Sequence, residues 1–191
     1  MRVRVLREAG LDEAFCGMAL SYYDGADPVQ LWWDGERRDR AFKRARKLAR
    51  MDGGHNKFLE SMQVWLHIRA PRYWWSQFDT YRAGVTKQSS STMHTLAKRQ
   101  PMREDFSGDT PWLARVAFHV QWRLHRRDIN KLKAALPEGF MQDRIVCTNY
   151  KALRHIYNQR KTHRLGAWQD FNTQLLQGLS RPSWVDSQEG V

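Results

Sequence analysis

LPEGFMQDRIVCTNYKALRHIYNQRKTHR, residues 136–164, is the stretch from which the rest of this chain can be read. Leu136-Pro137 opens it, and a β-compatible run, Arg144-Ile145-Val146-Cys147-Thr148, follows. A helical pattern starts at Asn149. At 3.6 residues per turn, Asn149, Leu153, Ile156 and Arg160 share one narrow stripe. Leu153 and Ile156 anchor that stripe to a core, so Asn149 and Arg160 point an amide and a planar cation the same way. Arginine in such a place suits a phosphate, a carboxylate or the carbonyl edge of a base. By itself the pattern also fits an ordinary amphipathic helix with a salt-bridged Arg.

Outward from this stretch, the pattern is mostly helical. Met1 to Leu6 alternates Val and Arg, the period of a half-buried strand. Leu11 to Tyr23 reads as a helix. Asp24 to Pro28 is loop chemistry, with Asp27-Pro28 capping a helix through Trp32 and Trp33. Glu36 to Arg50, ERRDRAFKRARKLAR, reads as a helix with eight Lys/Arg and two acids. Its apolar face is Ala41, Phe42, Ala45, Leu48 and Ala49. Asp52-Gly53-Gly54-His55 is a break. Gln63 to Ala70 alternates Val64, Leu66 and Ile68 against Trp65, His67 and Arg69, the clearest strand in the chain. Pro71 lacks an N–H, stops the ladder and starts an aromatic helix over Arg72–Arg82, which Gly84 ends. Lys87 to Thr92 is a polar loop whose hydroxyls and N–H groups can cradle an anion. Thr110-Pro111 starts a long helix to about Ala135, with Thr110 as its cap. A last helix spans Ala167 to Leu179. Few strands among many helices predict an α+β fold, a single domain over residues 1–180 and a loose tail over 181–191.

Composition narrows the function. A chain of 191 residues buries a real core, and nine Trp argue against disorder. No apolar run approaches the ~18 residues of a membrane span, and the N-terminus lacks the apolar core of a signal peptide. Cys16 and Cys147 form no disulfide framework, which fits a reduced, cytoplasmic protein. The net charge of +12 favours anionic partners, from nucleotides to nucleic acid. Gly-rich phosphate fingerprints, CxxC, HExxH and GxSxG are all missing, so neither a metal site nor a side-chain nucleophile is expected. What remains is Arg, Lys, Gln, Ser and Asn beside aromatics, a nucleotide-binding palette in which a bound cofactor would carry any chemistry.

Two stretches, Gly54 to His94 and Leu136 to Arg160, resemble the flavin-dependent thymidylate synthases. That family has a Gly-His pair, a strand ending in a Lys/Arg-Ala-Pro-like turn, a helix with Gln-Trp, and the signature R-H-R-x-x-S-x-N-E-x-S-x-R. Further on it has Leu-Pro, a strand ending in Asn, and a helix with Arg eleven residues after that Asn. Asn149 and Arg160 keep this spacing, and together the stretches cover about a third of the chain. The resemblance implies helices packed on a small, mainly antiparallel sheet, and reductive methylation of dUMP or a related pyrimidine nucleotide. FAD would be the cofactor, NADPH and methylenetetrahydrofolate the co-substrates, and a homotetramer the assembly. It places His55, Arg82, Asn149, His155 and His163 toward the flavin. Gln77, Lys87, Gln88, Ser90, Ser91, Lys133 and Arg160 fall toward the nucleotide, with Arg160 and Gln77 serving the reaction. Asn149 falls on a flavin-contacting Asn, Lys133 where the family has a phosphate-binding Arg, and Arg160 on the Arg that holds the base. The signature itself is altered: its first Arg and its His are Thr80 and Tyr81, its first Ser is Val85, its Asn is Lys87, its Glu is Gln88, and its last Arg is Thr92. The competing expectations are a nucleic-acid-binding protein and a non-catalytic interaction protein on the same fold, the latter of mobile-element or viral origin.

Overall fold

The computed structural model describes residues 1–22, 35–51 and 54–186. The expected helix through Trp32 and Trp33 and the Asp52-Gly53 break lie outside these residues. Four strands, β1 (Arg2–Ala9), β2 (Gln63–Pro71), β3 (Thr86–Ser89) and β4 (Met141–Asn149), form one antiparallel sheet in the order β1-β2-β4-β3. Eight α-helices surround it among the described residues: α1 (Leu11–Ala19), α2 (Gly35–Leu48), α3 (Arg72–Phe78), α4 (Thr92–Thr95), α5 (Trp112–His125), α6 (Ile129–Ala135), α7 (Tyr150–Arg160) and α8 (Gly166–Gly178). The architecture is the α+β fold that the periodicities predict.

The period-2 alternation of β2 sets the layers. Val64, Leu66, Ile68 and Ala70 are fully buried, as is Val146 of β4. Against this face pack Trp74, Trp75 and Phe78 of α3, Leu153 and Ile156 of α7, and Trp168 and Phe171 of α8. The opposite face of the sheet presents Trp65, His67, Arg69 and Ile145 in partial or full exposure. A smaller apolar cluster, Leu96, Phe106, Phe118, Leu132 and Leu136, sits under α4, α5 and α6.

Five local expectations are corrected. Lys87 to Thr92 is not all loop. Thr86–Ser89 pairs with Arg144–Cys147 as an edge strand, because backbone pairing to β4 does not need an apolar pattern. The aromatic helix stops at Phe78 rather than Arg82. Its last turn is closed by Lys87 Nζ, 2.9 Å from the Tyr81 carbonyl oxygen and 3.4 Å from that of Phe78. The long helix expected after Pro111 is two helices. Asp128 caps the second by accepting from the Asn130 and Lys131 N–H groups at 3.1 and 3.2 Å. Pro111, not Thr110, takes the N-cap position of α5, and the Thr110 hydroxyl meets Ser107 Oγ at 3.0 Å instead. The expected tail is packed as far as it is described: Trp184 and Val185 are buried, and Trp184 meets Phe15, Phe42 and Phe58 edge-on or tilted.

Asp105 ties the smaller cluster to the sheet. Arg99 grips its carboxylate with two bonds of 2.6 Å, the Met102 N–H donates to it at 2.8 Å, and Arg69 of β2 lies 3.5 Å away. Burial raises the carboxyl pKa, but the bonds from Arg99 and Met102, with the two guanidinium charges, outweigh it and hold the group below its usual 3.8. A depressed folded-state pKa means the contribution is complete above pH 3.8 and is lost as pH falls below that value. Asp105→Asn is therefore expected to lower the urea-unfolding midpoint at pH 7. The gap to the unmodified protein should narrow as pH drops below about 4, and a gap independent of pH would refute this account.

Candidate active site

Asn149 does not share the helical stripe expected of it. Its backbone is extended, with φ −134° and ψ 167°, and it is the N-cap of α7, its Oδ1 accepting from the Ala152 N–H at 2.9 Å. A short side chain with an acceptor is better used closing the helix end than inside it. Arg160 is the last residue of α7, so about 16 Å of helix axis separates the two groups. One compact ligand cannot touch both.

The residues between them form a continuous strip. Asn149 lines a cleft of about 370 Å³ with Ala83, Gly84, Ala152, His155 and Glu60. Glu60 also edges a neighbouring cleft of about 490 Å³ that contains His55, Met18, Tyr22 and Phe58. At the other end, the His155 ring lies edge-on to Tyr81 at 6.2 Å. Tyr81 Oη accepts from Arg160 Nε at 2.7 Å and donates to Gln159 Oε1 at 3.0 Å. The Arg160 guanidinium lies 4.7 Å from the Trp168 ring, and Trp168 Nε1 donates to Gln77 Oε1 at 2.8 Å. His163 is 6.2 Å from the same indole. His55, Asn149, His155, Arg160, Gln77 and His163 thus follow one another along one surface.

A second group lies near the end of β3. Lys133 Nζ donates to Thr92 Oγ1 at 2.8 Å. Ser90 and Thr92 line a cleft of about 190 Å³ with Arg69, Arg99 and Asp105. Ser91 is the N-cap of α4. A polar relay joins the two groups. The Ser90 carbonyl accepts from Gln142, Gln142 accepts from Arg144, and Arg144 meets Asp79 at 2.8 Å. Asp79 lies 3.3 Å from Lys87, which donates to the Tyr81 carbonyl. Lys87 is therefore turned toward the end of α3. Gln88 and Arg82 are exposed and lie between the two groups in sequence.

No family model matches the chain, and no curated protein matches it in sequence. Solved structures do. The flavin-dependent thymidylate synthase ThyX from Helicobacter pylori, complexed with FAD and dUMP, superposes with a TM-score of 0.75 at 14% identity, over 96% of each chain. A second structure of that enzyme with FAD and dUMP gives 0.69 at 16% identity, again over 96% of each chain. The UMP/dUMP methylase PolB from Streptomyces cacaoi, bound with 5-Br dUMP, gives 0.64 at 16% identity, over 97% of this chain and 94% of that one. The chain has the flavin-dependent thymidylate synthase fold. Identity this low fixes the ThyX-like fold and leaves the site to be argued from its own residues.

Three contributors escaped sequence reading. Tyr81 looked only like a lost His of the signature, Trp168 fell unremarked within the last helix, and the Asp79–Arg144 pair carried no signal. Their partners are between 65 and 91 residues away in the chain, and no local period reports such contacts.

Gly84 controls the Asn149 end. Its φ of +66° is in the left-handed region, and a Cβ there would stand 2.7 Å from Asn149 Nδ2. Gly84→Ala is expected to cost about 1–2 kcal/mol of stability. Amide exchange at Ala152 should quicken, since Asn149 holds that N–H. An unchanged unfolding midpoint would contradict this role of Gly84.

Proposed function

We propose that this chain is a flavin-dependent methylase of a pyrimidine deoxynucleotide, with dUMP or a close relative as substrate. The observation that carries this is the strip from the His55 and Asn149 clefts to the Arg160–Gln77 pair, on a fold whose solved examples hold FAD and dUMP. The donor set fits a flavin. The Asn149 amide stands over the backbone of Gly84, where a Cβ would intrude, His155 shares its cleft, and His55 lines the neighbouring one. Reduced FAD would supply hydride there, with NADPH as its reductant and methylenetetrahydrofolate as the one-carbon donor.

The chain's own residues bind and orient. Arg160, stacked on Trp168, offers donors to the carbonyl edge of a base. The Gln77 amide oxygen is occupied by Trp168, so its NH₂ is the group left to face a ligand. Lys133, with Ser90 and Ser91 nearby, takes the phosphate. Lys87 neutralises the end of α3 rather than replacing the lost signature Arg. Gln88, in place of Glu, leaves β3 without a negative charge. These changes suit a pyrimidine deoxynucleotide related to dUMP as readily as dUMP itself.

Open surfaces support a homotetramer. The outer sheet face carries half-buried Trp65 and exposed Ile145, and α5 exposes Trp112, Leu113, Val116, Val120 and Leu124 along one side. A second reading, binding of nucleic acid, is favoured by the exposed Arg40, Lys43, Arg46 and Lys47 of α2. It predicts affinity for mixed-sequence DNA and RNA that falls steeply with salt.

Titration with FAD is the first test. Uptake should give a yellow protein with flavin absorbance, and a protein that stays colourless in excess FAD would reject the proposal. Arg160→Ala should raise the dUMP dissociation constant about tenfold or more, the scale for losing a hydrogen bond from a charged group. Lys133→Ala should weaken dUMP but not deoxyuridine. Methylation assays on dUMP, UMP and dCMP then identify the base and sugar.

A further inference from the structure

The Arg160 guanidinium is held at two points. Its Nε–H donates to Tyr81 Oη at 2.7 Å, and its plane lies against Trp168, 4.7 Å from the ring centre. Among the described residues neither Nη makes a hydrogen bond. The fork is fixed at its base and stacked on one side, and its two outer donor groups are open.

We propose that Tyr81 is the positioning residue that aims this fork at the nucleotide base. The inference rests on the reading of Arg160 as a base contact and adds the residue that orients it. A long, flexible side chain loses rotamer freedom when fixed, and that cost falls on binding unless the protein has already met it. Tyr81 meets it in the free protein. Its ring is 9% exposed and edge-on to Phe78, His155 and Trp168, so the hydroxyl has little room to move. The hydroxyl proton is directed to Gln159 Oε1 at 3.0 Å, which leaves a lone pair for Arg160 Nε. The direction of each bond follows from its donor, since Nε carries one hydrogen and the glutamine oxygen none. Tyr81 stands where the thymidylate synthase signature has His. The substitution therefore installs a longer side chain whose terminal oxygen reaches Arg160, and Trp168 links the same guanidinium to Gln77.

The test is a double-mutant cycle read by calorimetric titration with dUMP and with deoxyribose 5-phosphate, which lacks the base. Tyr81→Phe keeps the ring and removes the hydroxyl. It should raise the dUMP dissociation constant about tenfold, the equivalent of about 1.4 kcal/mol. Deoxyribose 5-phosphate affinity should stay the same. In an Arg160→Ala background the same change should have no effect on dUMP, because the group being aimed is gone. If Arg160→Ala weakens dUMP while Tyr81→Phe does not, the role of Tyr81 is refuted and the base contact stands. If Arg160→Ala itself has no effect, the base contact falls and the inference with it. A loss shared by both ligands, or one that persists without Arg160, means a loosened site and also overturns the proposal. Gln159→Ala, on the exposed side of α7, serves if Tyr81→Phe does not fold. It frees the phenol proton and should give a smaller dUMP loss with the same dependence on Arg160, and no loss would count against Tyr81.

Discussion

Aromatic packing between α3 and α8 is the contact on which both fold and site depend. Trp74 lies 4.7 Å from Trp168, 4.9 Å from Phe78 and 5.3 Å from Phe171, ring centre to ring centre, and all four are fully buried. Removing one such side chain from a core costs about 3–5 kcal/mol. The stack holds α3 against β2 and α8 along β1, with Val64, Leu66 and Ile68 of β2 as the floor. Trp168 also has polar neighbours. Its N–H fixes Gln77 and its ring carries Arg160, so the same indole is core on one side and site on the other. Any shift of α8 on the sheet would move both polar groups together.

The altered signature makes physical sense as a rebuilt unit. Lys87 would be poorly placed for a nucleotide but well placed for a helix end: it meets the carbonyl groups of Phe78 and Tyr81 and the carboxylate of Asp79. Asp79 in turn holds Arg144, which stacks on Trp75 at 4.2 Å. Tyr81 replaces an imidazole with a phenol that bonds Arg160. Thr92 gives up a charge, and its hydroxyl receives Lys133 from α6. Three of the departures have polar partners in space: Tyr81 with Arg160 of α7, Lys87 with the end of α3, and Thr92 with Lys133 of α6.

Much of the architecture was legible because it follows from period and local chemistry. The alternation of Val64, Leu66 and Ile68 announced β2, and Leu153 and Ile156 announced the buried side of α7. Pro71 and the Asp128 side chain are local devices, though only the first was recognised, and Gly84, read as the end of the aromatic helix, lies well past Phe78 beside Asn149. Where reading failed, a long-range pairing had decided the outcome. The polar Thr86–Ser89 segment became a strand because β4 offered an unpaired edge, and Trp184 near the chain end is buried because Phe15, Phe42 and Phe58 surround it.

The candidate site divides the same way. The sequence by itself determined which side chains are on offer: basic and amide groups among aromatics, with an Asn and an Arg eleven residues apart. Side-chain type is a local property, so it survives reading in one dimension. Only the tertiary structure decided that Asn149 caps a helix, that Arg160 lies one helix length away on Trp168, and that Tyr81 holds it. The last of these joins residues 79 positions apart in the chain, a distance that only packing around a shared core can set.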